Sequence, residues 1–496
     1  MRKILILVMF LTILLVSCSS KEYTIKFVDF YDEIKLEDVV VKGNETLTEP
    51  KVEASLFKFK FSGWYEDSDF TTQFSFDTPI NKDYTLYAKW EEKSIDEVMI
   101  NYIDNLISST YSYVPSWNKE GFKGRWNYID GVFLNSIVNL YRQTNNVKYR
   151  DFFLRYVNYY LDSQGSFINP EKKTSGYQTG ELDSICESRI LYDAYEFTGE
   201  QKYLNAVAFT YNQLVNMPKA AGTNNYWHKE SYPNQIWLDG MYMYVPFYAR
   251  YAFANGNNAS IYNNIKEQYA YIRSAMFDEE KGLYYHGHDT TKSIFWADAE
   301  TGNSSSFWLR SLGWLLVSMI DTISIIPDGE LKTYLCDLFK EGIDGVLKYQ
   351  DSTSQMFYQL VDQGNKKFTV PAKYLEKLKN TKYQINGKYI DTEISNYLES
   401  SGSSMVAYCL LKGSNLGILN GEYKNKGLKV FEGIYGRSFG ADGLGDICIT
   451  AGLGPETNEI RDGSIAYYLA EPVGSNDAKG VGPFIMAYLE YTKAKK

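Results

Sequence analysis

A tyrosine motif recurs along the chain and indicates a series of helical hairpins. The segment YRQTNNVKY (141–149) returns as YEFTGEQKY (195–203), which places Tyr149 and Tyr203 54 residues apart. Looser versions surround Tyr262, Tyr334 and Tyr423. A small residue precedes each of these five tyrosines by 18 to 22 residues, namely Gly131, Ser184, Gly240, Gly313 and Gly402. Each unit therefore predicts two helices joined by a turn, with the small residue opening the first helix.

Two unpaired helices complete this pattern. KGVGPFIMAYLEY, around Gly482, opens a sixth first helix, and Ser94-Ile95-Asp96-Glu97 is a capping box that opens a helix before the first unit. If these two helices pair, six hairpins close into an all-α (α/α)6 barrel with six inner and six outer helices. An open α-solenoid is the alternative. We favour the barrel, over residues 94–496, because only closure gives both helices a partner.

The N-terminus has the pattern of an export signal. MRKILILVMFLTILLVSC combines a basic start with an apolar core that is short for a membrane-spanning helix. Its end, Leu15-Val16-Ser17-Cys18, resembles a bacterial lipobox. The resemblance implies removal of residues 1–17, lipidation of Cys18, a linker over 18–22, and an exported protein anchored to the bacterial membrane or cell surface. An uncleaved anchor is the alternative.

Residues 23–91 predict a small β module. YTIKFVDFY and LFKFKFSGWY alternate as strands do, and DYTLYAKW is rich in aromatic and β-branched residues. The segment FSGWYEDSDFTTQFSFDTPINKDYTLYAKW (61–90) resembles the internalin B-type repeat of bacterial surface proteins. The resemblance implies a single-sheet fold without chemistry, which acts as a spacer or contacts a cell-surface polymer or protein.

Composition narrows the classes of function. The net charge of −10 gives no basic face for nucleic acid. The 44 tyrosines, 27 phenylalanines and 9 tryptophans suit walls that stack on sugar rings, although a large aromatic core explains them equally well. Four cysteines after Cys18 are far apart, in apolar segments and without a CxxC pair, which predicts buried thiols: Cys186, Cys336, Cys409 and Cys448. With only three histidines, no metal site is expected.

The inner helices of a barrel all start at the same end, so residues near those starts share one mouth. Asp183 and Asp239 lie 56 residues apart, about one repeat, and should face the same cavity from neighbouring inner helices. Other residues expected at this mouth are Trp126, Tyr128, Asp130, Trp237, Trp308, Arg310 and Glu399.

Asp239 lies in the apolar run QIWLDGMYM (235–243). Aromatic neighbours desolvate a carboxylate and favour its protonated form, as a general acid requires. A carboxylate that merely caps a helix or complements its dipole is the alternative, especially for Asp183. We therefore regard Asp239 as the stronger candidate for chemistry.

The histidines and Arg310 also allow two interpretations each. His286 and His288, in LYYHGHD, could share a metal, but no Cys or Glu cluster completes a site, so hydrogen bonding to a substrate is favoured. Arg310, in SSSFWLRSLGW, lies between Trp308 and Trp314. It suits a carboxylate clamp, with a structural salt bridge as the alternative.

Seven segments appear in the order found in glycoside hydrolase family 105. They are RWNYIDG, GELDSICES, YWHKESYPNQIWLDGMYM, LYYHGHD, WADAETGNSSSFWLRSLGW, YLESSGSS and RDGSIAYYLAEPVGSNDAKGVGPFIMAYLE. The chain thus resembles the unsaturated rhamnogalacturonyl hydrolases, relatives of the unsaturated glucuronyl hydrolases of family 88, over about residues 98–492. The family fold is the (α/α)6 barrel.

The resemblance implies hydrolysis of an oligosaccharide whose terminal uronic acid carries a C4=C5 double bond left by a lyase. Asp239 would be the proton donor and then the base, while Asp183 would orient sugar hydroxyls. His228, Trp237, His286 and Trp308 match substrate-contacting positions, as does Arg310, the candidate for the uronate carboxylate. Tyr128 and Trp314 complete the predicted substrate-binding set. No metal or cofactor is implied.

Some residues depart from the family pattern and leave the substrate open. Leu309 replaces a usual glycine and His288 a usual aromatic residue, and both are expected to line the sugar site. Residues 364–397 are expected to form a lid or subsite loop. The preferred substrate is unsaturated galacturonyl-rhamnose from pectin. The alternatives are unsaturated glucuronides from glycosaminoglycans or algal polysaccharides, or a non-catalytic sugar-binding lipoprotein, which the intact set of Asp183, Asp239, His228 and Arg310 disfavours.

Overall fold

The computed structural model describes residues 21–52, 54–110, 117, 125–169, 172 and 174–496. The predicted leader and the predicted lipidation site Cys18 lie outside these ranges. The chain divides into two compact units, Met1–Asn101 and Tyr102–Lys496. No helix in the described ranges is long and apolar enough to cross a membrane.

The first unit contains one four-stranded sheet, which confirms the predicted β module. Its strands are β1 (Glu22–Val28), β2 (Val39–Lys42), β3 (Phe59–Tyr65) and β4 (Tyr84–Glu92), in the order β2-β1-β4-β3. β1 runs parallel to β4, and the other pairs are antiparallel. Ile25, Ile80 and Leu86 are fully buried in its core around Trp64.

The helices follow the predicted spacing. In chain order they are α1 (Ile95–Ser108), α2 (Tyr128–Thr144), α3 (Val147–Tyr160), α4 (Asp183–Cys186), α5 (Leu191–Thr198), α6 (Gln201–Val215), α7 (Leu238–Ala254), α8 (Ala259–Met276), α9 (Leu309–Ile325), α10 (Glu330–Leu347), α11 (Ala372–Lys377), α12 (Ser400–Asn415), α13 (Gly421–Arg437), α14 (Ile465–Ala470) and α15 (Ala478–Lys495). Three 3-10 turns accompany them: Glu187–Ile190, Val361–Gln363 and Thr381–Tyr383.

Short strands occur in the loops of the helical unit. They are β5 (Ile168–Asn169), β6 (Thr174–Ser175), β7 (Gln235–Trp237), β8 (Phe277–Asp278), β9 (Leu283–Tyr284), β10 (Gly287–Asp289), β11 (Lys367–Val370), β12 (Gln384–Ile385), β13 (Lys388–Tyr389), β14 (Thr392–Ser395), β15 (Phe439–Gly440), β16 (Gly443–Leu444), β17 (Ile447–Cys448) and β18 (Val473–Gly474). They pair two by two, so each pairing ties down a loop and adds no separate sheet layer.

The inner helices form a closed ring. They are α2, the path from α4 through the 3-10 turn Glu187–Ile190 to α5, then α7, α9, α12 and α15. Each packs against the next, and α15 packs against α2. The predicted (α/α)6 barrel is therefore confirmed, and the open solenoid is excluded.

The recurring small residues serve contacts between inner helices more than they serve helix starts. A Cβ on Gly131 would lie 2.6 Å from the Cα of Glu187, and one on Gly482 would lie 2.6 Å from Val132. Gly402 packs in the same way against Leu309. Because glycine has no Cβ, neighbouring backbones can approach closely at these points.

The recurring tyrosines tie outer helices together. The Tyr149 hydroxyl lies 3.0 Å from Asp104 Oδ1 and so joins α3 to α1. The Tyr203 hydroxyl donates to Asn158 of α3 over 2.9 Å. Tyr423 makes the equivalent bond from α13 to Asp344 of α10 over 2.6 Å. Tyr262 differs, since its hydroxyl bonds to Asn257 in the preceding turn.

The thiol predictions are confirmed for Cys186, Cys409 and Cys448, which are free and buried. Cys336 is a correction, because its side chain is only half-buried. It lies on the outer helix α10, where one helix face meets solvent.

Candidate active site

A short strand pairing brings two distant loops together at the inner-helix starts. β7 runs antiparallel to β10, with Trp237 opposite Gly287. The Leu238 amide donates to the His286 carbonyl over 3.0 Å. Since α7 begins at Leu238, this pairing places His286 beside the first turn of that helix and beside Asp239.

Asp239 and His286 face each other in a buried position. His286 Nε2 lies 3.1 Å from Asp239 Oδ2. Asp239 is 8% exposed and His286 is fully buried. Apart from this contact, neither of the two facing atoms has a hydrogen-bond partner among the described residues, so Asp239 does not cap its helix through Oδ2. A buried carboxylate oxygen whose close polar contact is a histidine nitrogen is typical of a group kept for chemistry.

Tyr468 orients the His286 ring. Its hydroxyl lies 2.5 Å from His286 Nδ1. Burial lowers the pKa of His286 and raises that of Tyr468 well above its ordinary value, so the imidazole is neutral and the phenol keeps its proton. A phenol that donates to Nδ1 leaves the ring proton on Nε2, facing Asp239.

Asp183 has a different environment. Its Oδ2 lies 2.5 Å from Lys229 Nζ, and its Oδ1 lies 3.4 Å from His228 Nε2. Burial acts to raise the pKa of Asp183, but the charges of Lys229 and His228 outweigh burial and hold that pKa below its ordinary value. Lys229 also pairs with Glu181 at 3.2 Å. Asp183 is therefore a fixed negative charge.

His228 links the two aspartates through an aromatic wall. Its ring stacks on Trp237 with centroids 4.3 Å apart, and Tyr232 stacks on the same indole at 5.1 Å. A Cβ on Gly240 would lie 3.3 Å from His228 Nδ1, so the glycine after Asp239 leaves room for the histidine. Flat stacked rings of this kind suit the faces of sugars.

Trp308 and Arg310 pack under this wall. The Trp308 ring lies 4.8 Å from that of His286, and the Arg310 guanidinium lies 4.7 Å from the Trp308 ring. Arg310 is 1% exposed and donates to the Cys448 carbonyl. Its Nε has no hydrogen-bond partner in the described part of the chain. Arg310 is a buried cation beside the wall, and no carboxylate forms a salt bridge with it in the described ranges.

The other residues predicted at the inner-helix starts divide into two groups. Trp126 donates from Nε1 to Ser188 over 2.9 Å, and Asp130 accepts from Trp117 over 2.9 Å, so both hold the fold. Glu399 is likewise structural, because its carboxylate caps α12 through the Gly402 amide. Tyr128 is half-buried, and its phenol interacts electrostatically with the Arg310 guanidinium.

Three other predicted residues pack against partners other than Asp239. Trp314, farther along α9, stacks on Tyr242 at 4.4 Å inside the barrel. Leu309 does not line the sugar site as expected, because it is fully buried against Gly402. His288 is held by Asn303 at 2.9 Å and by Tyr271 at 3.2 Å. It is paired on both nitrogens and does not join His286.

The structure adds three site residues that we did not single out from the sequence. They are Lys229 beside Asp183, Tyr468 on His286, and Arg461, whose charge acts on His286. Arg461 Nε donates to the Tyr467 hydroxyl over 3.3 Å. Lys229 follows His228 directly, and the motif RDGSIAYYLAEP contains Arg461 and Tyr468. All three residues therefore lie in or beside the motifs that resemble the family, although the motifs did not indicate their roles.

The segment 364–397 is packed in one part and exposed in another. β11 pairs with β14, and Val370 and Leu375 are fully buried in a cluster that includes Trp308 and Tyr468. The Tyr374 hydroxyl donates to Asp462 over 2.7 Å, next to Arg461. Residues 381–391, around the β12–β13 hairpin, are largely exposed, and their expected role as a lid or subsite loop stays a prediction.

Comparison with known families assigns both parts of the chain. Residues 102–377 and 387–495 match the model of Glycosyl Hydrolase Family 88. Residues 23–89 match the Listeria-Bacteroides repeat domain.

Individual relatives point the same way. Protein Atu3128 of Agrobacterium fabrum is 30% identical over 257 residues, which cover 50% of this chain and 97% of that protein. The solved family 105 glycoside hydrolase of C. acetobutylicum ATCC 824 is 30% identical, with a TM-score of 0.67 over 81% of this chain and 100% of that one. The unsaturated glucuronyl hydrolase of Bacillus sp. GL1 shares the fold at 13% identity, with a TM-score of 0.50 over 75% of this chain and 88% of that one. The chain is therefore a glycoside hydrolase of the family 88 and 105 group, with a Listeria-Bacteroides repeat domain ahead of its (α/α)6 barrel.

Proposed function

We propose that this hydrolase removes a terminal 4,5-unsaturated uronic acid from oligosaccharides that a polysaccharide lyase has produced. The observation that carries the proposal is the combination of a buried Asp239, whose Oδ2 faces His286 Nε2, with a lysine-paired Asp183 one repeat away. One carboxyl group can exchange a proton, while the other keeps a fixed charge.

The reaction begins at the enol ether of the unsaturated sugar. Asp239 gives its proton to C4, and positive charge develops at C5 and the ring oxygen. Water adds to C5 while the Asp239 carboxylate takes a proton from it, which restores the acid. The resulting hemiketal opens and releases the rest of the oligosaccharide and a keto uronate. Asp183 would hold sugar hydroxyls close to Asp239.

The carboxylate of the uronic acid requires a cation near the aromatic wall. Arg310 is the candidate from the sequence, and its unpartnered Nε supports it. Arg461 is a second candidate, because it is less deeply buried than Arg310 and its charge reaches His286. Arg310→Gln and Arg461→Gln distinguish the two candidates. The substitution at the arginine that binds the carboxylate should raise KM more than the other.

The preferred substrate is unsaturated galacturonyl-rhamnose, as pectic rhamnogalacturonan would yield it. The conjugated double bond absorbs in the near ultraviolet, so its loss reports the reaction. We expect absorbance to fall with this disaccharide and more slowly with unsaturated glucuronyl disaccharides. Faster loss with the glucuronides would favour glycosaminoglycan or algal substrates; the Bacillus sp. GL1 enzyme is responsible for the degradation of glycosaminoglycan. No loss with any unsaturated uronide would refute the proposed activity.

We also propose that the protein is exported and anchored through a lipid on Cys18. The leader pattern and the surface-type repeat over residues 23–89 support this. Expressed in a bacterial host, the native protein should sediment with membranes, and Cys18→Ala should lose the lipid while keeping the barrel. Equal lipid labelling of both proteins would contradict the proposal.

A further inference from the structure

A second cavity lies at the opposite end of the barrel from Asp239. Its volume is about 330 Å³. Its charged lining comes from the inner ring, beyond the helix starts that hold Asp239, and consists of Arg142, Arg189, Asp193, Arg250, Asp321 and Lys412. None of the residues around Asp239 and Asp183 described above lines it.

The cavity carries more cations than carboxylates. Asp193 is shared by Arg142 at 2.8 Å and Arg250 at 2.6 Å. Asp321 is shared by Arg189 at 3.0 Å and Lys412 at 2.8 Å. Four cations therefore divide two carboxylates inside a protein whose net charge is −10.

Glu196 adds a third carboxylate at the rim. It contacts Arg142 at 2.7 Å, but its side chain is 55% exposed, so water screens the interaction. The excess of positive charge inside the cavity persists after this contact is counted.

Arg189 has one hydrogen-bond donor, Nε, without an acceptor among the described residues. It is 6% exposed and lines the cavity. Its Nη1 is paired with Asp321 and its Nη2 with Tyr242, but Nε is buried without a hydrogen-bond partner among the described residues. A buried guanidinium donor without an acceptor is costly, which is typical of a site that an external acceptor completes.

We propose that this cavity binds a small oxyanion, a phosphate or a sugar carboxylate. Guanidinium groups match the paired oxygens of both anions. The cavity volume has room for a single sugar acid, at the lower end of ligand pockets. The proposal stands apart from the proposed hydrolase activity, because it uses none of the residues of that site.

A simpler explanation is that the cations only complement the negative ends of the inner helices. Arg142 and Lys412 do lie in last helical turns. Asp321 lies near the end of α9, however, and a helix dipole does not account for it or for the unpartnered Nε of Arg189. If this explanation holds, no anion binds there with saturation.

Calorimetric titration of the full chain tests the proposal, with inorganic phosphate, glucuronate and neutral glucose as separate probes. We expect saturable binding of at least one anion and none of glucose. Arg142→Gln, whose side chain is 40% exposed, should fold and weaken binding several-fold, and Arg250→Gln should weaken it roughly tenfold. Arg273→Gln is the matched control, because Arg273 is as exposed as Arg250 but lies in the outer ring.

The relative affinities distinguish the two kinds of ligand. Tighter binding of inorganic phosphate indicates a phosphate ligand, and tighter binding of glucuronate indicates a sugar acid. If neither anion binds with saturation, or if wild type and Arg142→Gln have equal affinity, the proposal is overturned. Should Arg250→Gln fail to fold, selenate soaked into crystals of the wild type decides instead. An anomalous peak within reach of Arg189 supports the site, and peaks only elsewhere overturn it.

Discussion

Asp183 and Asp239 occupy matching positions in neighbouring repeats and have opposite surroundings. Asp183 begins α4 and is paired with Lys229 at 2.5 Å. Asp239, in the first turn of α7, faces the Nε2 of a neutral histidine at 3.1 Å. The difference comes from two loops. The loop before α7 supplies Lys229 to Asp183, and the β7–β10 pairing brings His286 to Asp239.

This comparison shows how one repeat can yield two chemical roles. The barrel provides equivalent places for carboxylates, and the loops decide their charge. A carboxylate paired with a lysine contributes to stability, whereas a buried carboxylate that faces a neutral histidine gains less from its surroundings and is retained for function. Variants of the two residues should therefore differ in stability as well as in activity.

The largest effect is expected for Asp239→Asn. An amide cannot give a proton to carbon, so kcat should fall about 10³-fold or more. The melting temperature should stay the same or rise, because Asp239 Oδ2 is buried against a neutral histidine and has no other hydrogen-bond partner in the described part of the chain. The absorbance assay and thermal unfolding measure both quantities. Near-normal turnover would show that Asp239 is not the proton donor.

Asp183→Asn should have the second largest effect, with the opposite sign in stability. Loss of the fixed charge should lower kcat/KM roughly 10- to 100-fold. Lys229 would lose its closest partner, so the free energy of unfolding should fall by about 1–3 kcal/mol. Denaturant titration gives this value, and Lys229→Met, alone and combined with Asp183→Asn, tests the coupling. Additive losses in the double variant would mean that the pair does not act as a unit.

Tyr468→Phe sharpens the comparison at His286. Without the phenol at 2.5 Å, the ring no longer has a fixed tautomer, and kcat should fall about tenfold while KM changes little. Tyr269→Phe removes another buried hydroxyl, one that bonds to Ser318, and serves as the control. Equal effects of the two variants would assign the loss to packing alone.

The smallest effect concerns pH. Burial holds the pKa of His286 below its ordinary 6.5, so the unfolded chain takes up a proton first as pH falls. Between pH 6.5 and 5 this lowers the free energy of unfolding by at most about 2 kcal/mol. His286→Gln should lack this part of the pH dependence. If wild type and variant lose stability in parallel, the histidine is not held neutral by the fold.

The barrel could be predicted because its repeats leave a period in the sequence. Tyr149, Tyr203 and Tyr423 join outer helices, and Gly131, Gly402 and Gly482 permit inner-helix contacts, so each recurs with its helix. The role of the glycines was only half predicted. Periodicity locates a small residue, but it does not show which neighbouring backbone the residue must admit.

The site could be predicted in part, for a similar reason. Asp183 and Asp239 follow the repeat, whereas Tyr468 reaches His286 across 182 residues from the short helix α14, which is not part of the repeat. Leu309 was misleading because it adjoins Arg310 in sequence but packs against Gly402. Trp314 stacks on Tyr242, and its substrate contact stays a prediction. Spacing within one helix does not reveal which side of it meets the ligand.

The contact between α15 and α2 also has a consequence for how the protein is made. Gln143 bonds to Thr492 at 2.6 Å, across 349 residues, so the first inner helix gains one of its two inner neighbours only after the last has been synthesised. Until then, apolar faces of α2 remain uncovered on a nascent chain, where exposed surface invites aggregation. Ring closure thus has to wait for the synthesis of α15, so α2 stays incompletely packed while the residues between the two helices are being made.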